Sequence, residues 1–444
     1  MRPTIYIAVE VKSRELNSQL LLACKASLKG YRIYIGTHAA ILKLIRLKLK
    51  HGGVFLDKGT LPVPTSEFIK IKCEKIAILD QELGPNRELN DIEGETNIVK
   101  GRIYPGVETL IDVYFVCNGL VYTEAKSFLP DSVKVIITGW PRFEFQVNYS
   151  KKTFARLAEK ISRKYGDFLL FATDLGPITP RSQLRSKSML VRKNLEGITQ
   201  VREAQIFEDA SAIAHFIRDW NLNGHKPRII LRPHTSENIS EWVRLIDSRK
   251  TKVIRRNDIT PWLLASKGLI HRGSTTSLQA SSLKIPTYYF EGATRSQTRK
   301  LNRYNSTFRF KSASELLSAV APKSLSELVS TSNDEVISDD SCDLIINYLD
   351  IITLKCEAKI SRVIFWVDYI TFRSCRRLIG LVRDELRYLL NGTNVLPQSR
   401  YVPFGISTYD FKVIQKSEKT FKTIRARQIG INLIELESKF DVKK

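Results

Sequence analysis

The sequence has little cysteine and lacks any apolar run long enough to span a membrane. Its six cysteines are scattered over 444 residues, with no C-x-x-C pair and no close cluster. This spacing excludes a disulfide framework and a cysteine-based zinc site. A transmembrane helix needs about 20 consecutive apolar residues, and the N-terminus lacks the apolar core of a secretory signal. We therefore expect a cytoplasmic protein whose cysteines stay reduced.

Acidic residues are also few beside the basic ones, and the formal net charge is +24. Such an excess of positive charge attracts polyanions. The chain has no zinc-finger spacing, no RNP-type aromatic motif and no long Lys/Arg block, which argues against a nucleic-acid partner. A dispersed basic surface fits an anionic membrane face or an anionic sugar substrate better.

Apolar, β-branched runs alternate with helical patterns from the N-terminus to about residue 325. This order predicts an α/β protein with parallel sheets and helices on both faces of each sheet. We expect a Rossmann-like domain over 1–148 and a second one over 149–325. A linker and a basic, helix-rich extension are expected over 326–444.

The predicted extension has its own composition. Residues 355–444 hold twice as many basic as acidic residues, with aromatic residues among them. Two interpretations are open. One is a helical appendix packed on the body with a solvated basic face, and the other is a contact with an anionic membrane surface.

Three motifs directly follow predicted strands, where ligands bind in open parallel sheets. The first is IAILDQELG at 76–84, in which a strand leads into Asp80 and Glu82, and Gly84 permits a sharp turn. Two carboxylates in this position suit a general base, because burial or mutual repulsion raises a carboxyl pKa. The alternative is a turn with solvated acids.

The second motif is RIILRPHTSEN at 228–238. Arg232 and His234 at the end of a strand, beside hydroxyl residues, suit a phosphate or a leaving group. The alternative is that His234 makes only a local hydrogen bond and the hydroxyl residues cap the next helix.

The third motif lies within 258–290, where a strand ends before Gly273. Glycine lets the backbone approach a ligand closely. Four hydroxyl residues then open a helix whose free N–H groups favour an anion: Ser274, Thr275, Thr276 and Ser277. The alternative is a hydroxyl-rich helix cap that binds no ligand.

Taken in order, the motifs resemble the bacterial surface carbohydrate biosynthesis proteins. These are relatives of the sialyltransferases and the 3-deoxy-manno-octulosonic acid (Kdo) transferases with the GT-B fold. The family's marks are an acidic motif ending in glycine, a His-Pro motif and a Ser/Thr pair, and the resemblance spans roughly residues 5–325. Here a proline precedes the histidine instead of following it, and a leucine stands before the glycine.

The resemblance implies a role for each motif. Glu82, or else Asp80, would deprotonate the acceptor hydroxyl. His234 and the hydroxyl groups of the third motif would hold the donor phosphate or protonate the leaving group. Arg232 would add positive charge, and Glu237 would bind the ribose hydroxyls. Because CMP is already a good leaving group, no divalent metal and no cofactor are expected.

The segment EVKSREL follows the first predicted strand, at the mouth of the crevice expected between two such domains. Three residues of this segment are candidate contacts for the acceptor: Glu10, Lys12 and Arg14. The alternative is that the charged residues of the segment form ion pairs that hold the first loop. Lys58, which follows another strand-like run, is a candidate partner for the carboxylate of the sugar acid.

The sequence therefore predicts a GT-B glycosyltransferase that moves a CMP-activated nonulosonic or Kdo-like sugar acid. Its acceptor would be a surface glycan or a lipid-linked molecule, and the enzyme would act at the inner face of the membrane. Two alternatives share the architecture: a CDP-glycerol-type polyol-phosphate transferase and a UDP-sugar epimerase. A third is a non-catalytic protein that binds glycan or membrane.

Overall fold

The chain divides into two compact units in a computed structural model. The first unit comprises Met1–Thr153 together with Asn333–Lys444, and the second comprises Phe154–Ser332. The second unit is therefore inserted into the first. The structure describes residues 3–47, 52–81, 99–175, 196–234, 237–246, 250–255, 258–272, 274–292, 308–320, 340–353, 406–430 and 433–438.

The first unit is built on an eight-stranded sheet. Its strands in chain order are β1 (Thr4–Val9), β2 (Arg32–Thr37), β3 (Val54–Asp57), β4 (Lys75–Leu79), β5 (Val113–Val116), β6 (Lys134–Ile137), β13 (Ile424–Gly430) and β14 (Leu433–Ser438). The order across the sheet is β13-β14-β2-β1-β3-β4-β5-β6. The first six strands are parallel to one another, whereas β14 runs antiparallel to β2.

The helices of the first unit connect these strands or pack on the sheet. They are α1 (Lys12–Leu28), α2 (His38–Arg46), α3 (Val63–Cys73), α4 (Gly119–Phe128), α5 (Pro141–Glu144), α12 (Ser341–Ile352) and α13 (Thr408–Gln415). Helix α6 (Ser150–Tyr165) leads from the first unit into the second. All six residues of β1 are buried, as expected for a parallel strand that is covered on both faces.

The second unit holds a six-stranded sheet in which every described pairing is parallel. Its strands are β7 (Phe168–Ala172), β8 (Arg228–Arg232), β9 (Lys252–Val253), β10 (Gly268–His271), β11 (Thr287–Phe290) and β12 (Phe308–Phe310), in the order β12-β11-β10-β7-β8-β9. Its helices are α7 (Glu196–Leu222), α8 (Ile239–Leu245), α9 (Thr260–Ala265), α10 (Thr276–Ser282) and α11 (Ala313–Val320).

The sheet of the second unit has an apolar cluster on each face. One cluster contains Phe171, Phe216 and Trp220, and the other contains Phe168 and Trp262. The Phe216 ring lies 5.0 Å from that of Phe290 by centroid distance, within the range of favourable aromatic pairs. The α/β class with two parallel-sheet domains, predicted from the alternating pattern, is confirmed.

The C-terminal region differs from the predicted helical extension over 326–444. Its described part belongs to the first unit, and residues 424–438 form a hairpin instead of helix. Strand β14 pairs with β2 and buries Leu433, Ile434 and Leu436. An uncovered edge strand invites aggregation, and the hairpin covers the β2 edge. The prediction of a helical extension was therefore wrong for residues 424–438.

The basic stretch at 354–405 lies outside the described residues, so membrane contact through residues 355–444 stays a prediction. Within the part of the chain that the structure describes, no helix is long and apolar enough to cross a bilayer.

Candidate functional site

In each sheet the first strand of the unit has later strands on both sides, so the direction in which strands are added changes there. In the first unit the chain passes from β1 to β2 on one side and to β3 on the other, and in the second unit β7 lies between β10 and β8. Ligands of open α/β sheets bind at the carboxyl ends of the strands beside such a switch point. Both switch points carry polar and charged side chains.

Lys58, which follows β3, contacts two carboxylates, one in the loop after β1 and one in the first turn of α1. Its ammonium lies 3.0 Å from Oε1 of Glu15 and also pairs with Glu10. The other oxygen of Glu15 accepts hydrogen bonds from the backbone N–H groups of Glu10, at 3.0 Å, and Val11, at 3.2 Å. These contacts match the alternative interpretation, in which ion pairs hold the first loop.

His38 and Asp57 form a hydrogen-bonded pair at the same edge. His38 begins α2 just after β2, Asp57 ends β3, and Nε2 of His38 lies 2.6 Å from Oδ2 of Asp57. The side chain of Asp57 is 2% exposed and that of His38 is 28% exposed. The second carboxylate oxygen accepts from the backbone N–H of Lys58 at 2.7 Å. The carboxylate thus fixes the ring while leaving the histidine partly open.

Burial alone would lower the pKa of His38, but the hydrogen bond and charge of Asp57 raise it, and Glu10 and Glu15 add to this rise. The net shift is above the ordinary histidine value. A partly exposed imidazole that is oriented by a buried carboxylate has the geometry of a general base. Neither His38 nor Asp57 was predicted as a site residue. Their shared signal is that both lie at strand ends.

Asp80 lies directly after β4, as predicted, but its carboxylate is already paired. Oδ2 accepts from Nε of Arg102 at 3.0 Å and from the hydroxyl of Tyr114 at 2.7 Å. Asp80 is 1% exposed. Burial first, and the charge of Asp80 second, raise the pKa of Tyr114 well above its ordinary value. Glu82 and Gly84, the other residues of this motif, lie outside the described residues.

Gln81 follows Asp80 and is 3% exposed. Neither the nitrogen nor the oxygen of its carboxamide has a hydrogen-bond partner within the described ranges. Buried polar atoms are nearly always paired, so an amide with both atoms unpaired is unusual. Gln81 lies within the first predicted motif but was assigned no role there.

Lys12 is tied to the C-terminal region. Its ammonium lies 2.8 Å from Oδ1 of Asp410, and the other oxygen of Asp410 accepts from the backbone N–H of Ser407 at 2.9 Å. The contact joins α1 to α13, so it is structural. Arg14 is half-buried in the first turn of α1, where its backbone N–H donates to the carbonyl of Val11.

Two arginines stand at the carboxyl edge of the second sheet. Arg232 ends β8 and is 8% exposed. Burial chiefly, and Arg255 in addition, lower its pKa to about 10, although Asp258 acts in the opposite direction. Arg232 therefore remains charged at neutral pH. Nη1 of Arg255 donates to the carbonyl oxygens of His234 and Glu237, each at 2.7 Å. These hydrogen bonds fix the orientation of its guanidinium group.

Glu237 is held inside the unit by three hydrogen bonds. One carboxylate oxygen accepts from the Thr173 hydroxyl at 2.6 Å and from Nε1 of Trp242 at 2.7 Å, and the other accepts from the backbone N–H of Leu175 at 2.8 Å. Burial raises the pKa of Glu237 to about 7. The predicted contact with ribose hydroxyls would require some of these hydrogen bonds to break.

His234 is half-buried just after β8, in the predicted place. Its backbone N–H donates to the Thr173 hydroxyl at 3.3 Å, and its carbonyl accepts from the backbone N–H of Glu237 at 3.0 Å. Thr173, which follows β7, thus binds both motif residues at once. Sequence analysis missed Thr173, although it stands at the end of a strongly apolar run.

The hydroxyl run leads into α10 as predicted, and part of it serves the turn itself. Oγ of Ser274 accepts from the backbone N–H of Thr276 at 3.3 Å and donates to its hydroxyl at 3.1 Å. The hydroxyl of Ser277 donates to the carbonyl of Ser274 at 2.8 Å, and Ser277 is 1% exposed. Thr275 is the N-cap residue of α10. Gly273 lies outside the described residues.

The two edges therefore differ in chemistry. The strands β10, β7 and β8 are neighbours, about 4.8 Å apart, so Ser274, Thr173 and Arg232 follow adjacent strands of the second sheet. That edge offers guanidinium and hydroxyl groups, which suit an anionic ligand. The edge of the first sheet offers carboxylates and the His38–Asp57 pair, which suit proton transfer.

No protein-family model matches the sequence, and no curated protein matches it. Similar solved structures include a variant of the wall teichoic acid polymerase TagF soaked with CDPG, at 13% identity. That match covers 79% of this chain and 88% of TagF, with a TM-score of 0.49.

Two other similar structures are a UDP complex and an epimerase. The S. aureus MnaA–UDP structure is 12% identical over 80% of this chain and 99% of its own, with a TM-score of 0.44. The UDP-GlcNAc 2-epimerase of Methanocaldococcus jannaschii is 12% identical over 79% of this chain and 100% of its own, with a TM-score of 0.46. The chain is similar to them at this level only.

Proposed function

We propose that the chain is a glycosyltransferase of the GT-B type that transfers a sugar acid from a nucleotide-activated donor to a hydroxyl group. The donor is held at the carboxyl edge of the second sheet, and the acceptor at that of the first. The observation that carries the proposal is the charged, buried Arg232 beside Arg255 at the switch point of the second sheet.

Burying a cation is costly, and a bound anion relieves that cost. Arg232 and Arg255 offer two fixed positive charges, and the hydroxyl of Ser274 lies on the same edge. A CMP-linked sugar acid brings two anionic groups, its phosphate and its carboxylate, and is our first candidate donor. CDP-glycerol also brings two negative charges, in its diphosphate. Because their number equals that of the two arginine charges, CDP-glycerol is our second candidate donor.

The His38–Asp57 pair supplies the proton acceptor in this proposal. The acceptor hydroxyl gives its proton to His38, and its oxygen forms the new bond to the anomeric carbon. The bond from that carbon to the phosphate oxygen breaks, and the nucleotide leaves with the electron pair. Asp57 stabilises the imidazolium that forms, as a buried carboxylate does beside a catalytic histidine. Glu82 remains the alternative base that the resemblance implies.

Calorimetric titration tests the donor site. CMP, CDP-glycerol and UDP are titrated into the full chain without added metal, and into Arg232→Met and Arg228→Met variants. Arg228 is the matched control, since it is an exposed residue at the opposite end of β8. Loss of a charged partner should weaken binding about tenfold or more for Arg232→Met, with little change for Arg228→Met.

The ligand preference decides the donor class. Selective binding of CMP supports a CMP-linked sugar acid, and a preference for CDP-glycerol supports polyol-phosphate transfer. If none of the three nucleotides binds, the donor proposal fails.

The resemblance implies that His234 holds the donor phosphate or protonates the leaving group, and a separate substitution tests this role. His234→Ala should abolish turnover while the melting temperature stays near that of the wild type. An equally large loss of stability would make His234 a structural residue.

A further inference from the structure

The amino edge of the second sheet carries a row of exposed basic side chains. Because β8, β9, β10 and β11 are parallel, the residues at their starts share one edge, opposite to the edge that holds the candidate donor site. Six exposed basic residues lie at or just before these starts: Lys226, Arg228, Lys250, Lys252, Lys267 and Lys284. Arg163 and Lys164 add to this edge from the end of α6, just before β7.

Few acidic side chains balance these charges. Asp167 lies 3.4 Å from Lys267, and on α6 Glu159 pairs with Arg163. No carboxylate of the described residues pairs with Lys226, Arg228, Lys250 or Lys284. In the first unit, by contrast, many basic residues are in ion pairs, among them Lys25, Lys58 and Lys70. The positive charge of Lys226, Arg228, Lys250 and Lys284 is therefore largely left to the solvent.

Helix dipoles account for only part of this row. A helix favours cations at its C-terminus, and several helices of the second unit end at this edge. The last turn of α6 contains Arg163 and Lys164, but the last turns of α7, α9 and α10 contain no basic residue. The six strand-start residues all stand beyond the last turns of these helices.

An exposed apolar side chain lies within the basic edge. Leu222 is the last residue of α7, four residues before Lys226, and is 71% exposed. An apolar side chain among basic ones is typical of surfaces that lie in the headgroup region of an anionic bilayer. Single-stranded nucleic acid is bound instead by exposed aromatic rings, and the large exposed apolar residues described in this unit are all aliphatic.

We propose that this amino edge, defined by the six strand-start residues and Leu222, docks the protein on a membrane rich in anionic phospholipid. Lysine and arginine side chains gain attraction additively near such a surface. The inference goes beyond the proposed transfer reaction and does not depend on the identity of the donor. It also differs from a contact through residues 355–444.

Vesicle sedimentation of the full chain tests the proposal. The vesicles are phosphatidylcholine alone, or phosphatidylcholine mixed with phosphatidylglycerol. One variant combines Lys226→Glu, Arg228→Glu and Lys252→Glu. The control combines Lys126→Glu, Lys134→Glu and Lys151→Glu, which make the same charge change at exposed positions of the first unit. The first triple should weaken binding to the mixed vesicles about tenfold or more, and the control far less.

Three results would overturn the proposal: equal losses in both triples, binding that does not depend on phosphatidylglycerol, or no binding by the wild type. Binding of an RNA homopolymer without binding of mixed vesicles would favour nucleic acid instead.

Leu222→Ser leaves the charge unchanged and should weaken vesicle binding at least severalfold. If the first triple does not fold, Lys226→Glu and Lys250→Glu are each compared with Lys126→Glu, and equal binding would overturn the proposal.

Discussion

For single residues, the sequence was enough to predict which side chains stand at the ends of strands. It was not enough to predict which side chains contact each other. Asp80 and Arg232 were placed correctly at strand ends because apolar runs mark a strand and its end directly. The pair of His38 with Asp57 joins residues that follow different strands. Such a contact depends on the order of strands in the sheet, which no local pattern contains. The hydrogen bonds of Glu237 were missed for the same reason.

Glu237 is expected to make stability depend on pH. Its carboxyl pKa rises from an ordinary 4.5 to about 7 in the folded protein, chiefly by burial. The folded state thus holds this proton more tightly than the unfolded state. The resulting stability is fully present below about pH 4.5 and is lost as pH rises through about 7. In Glu237→Gln, urea unfolding should show a weaker pH dependence across this range.

Glu159→Gln is the control for this change, since Glu159 is an exposed residue on α6. It should keep the wild-type pH dependence. An unchanged slope in Glu237→Gln would show that this carboxyl does not take up the proton.

Gln81→Leu is expected to raise stability. The substitution removes two buried polar atoms that lack partners among the described residues, and the gain should be about 1 kcal/mol. Gln19→Leu is the comparison, because in that amide only the oxygen is both buried and without a partner among the described residues. Its gain should therefore be smaller. Chemical denaturation measures both. A loss of stability in Gln81→Leu would mean that the amide has a structural partner.

For the secondary-structure elements, the alternation of strands and helices was predicted correctly. The two segments that differ from the prediction, α3 and the β13–β14 hairpin, do so for physical reasons. The FIKIK pattern at 68–72 alternates like a strand, yet Val63–Cys73 is α3. Parallel β3 and β4 cannot be joined by a tight turn and need a crossover, which a helix provides. The hairpin of β13 and β14 was missed because its partner β2 lies almost 400 residues earlier in the chain.

The pairing of β14 with β2 is expected to stabilise the first unit substantially. Leu436 is fully buried on β14, so Leu436→Ala should lower the free energy of unfolding by about 2–5 kcal/mol. Arg425→Ala, at an exposed position of neighbouring β13, should change it by less than about 0.5 kcal/mol. Similar small effects for both substitutions would mean that the hairpin adds little to the fold.

For the whole molecule, the C-terminal residues 333–444 belong to the first unit. This affects which experiments can test a membrane contact of the C-terminal region. Deleting residues 355–444 would be the obvious test of the membrane contact predicted for that segment, with reduced binding to anionic vesicles as the expected result. The same deletion removes β13 and β14 and uncovers the β2 edge. Because a folding defect alone can change vesicle binding, matched charge substitutions are the better test of any membrane contact.

The reaction that we propose is transfer from a nucleotide-activated donor, with His38 as the proton acceptor. The most direct measurement is nucleotide release from CMP-linked sugar acids and CDP-glycerol by the full chain, its His38→Asn variant and a His225→Asn control. We predict that one donor is consumed and that His38→Asn slows release about a hundredfold or more. Donor affinity should be unchanged, and the control should act like the wild type. Release by His38→Asn at the wild-type rate, or no release from any donor, would contradict the account.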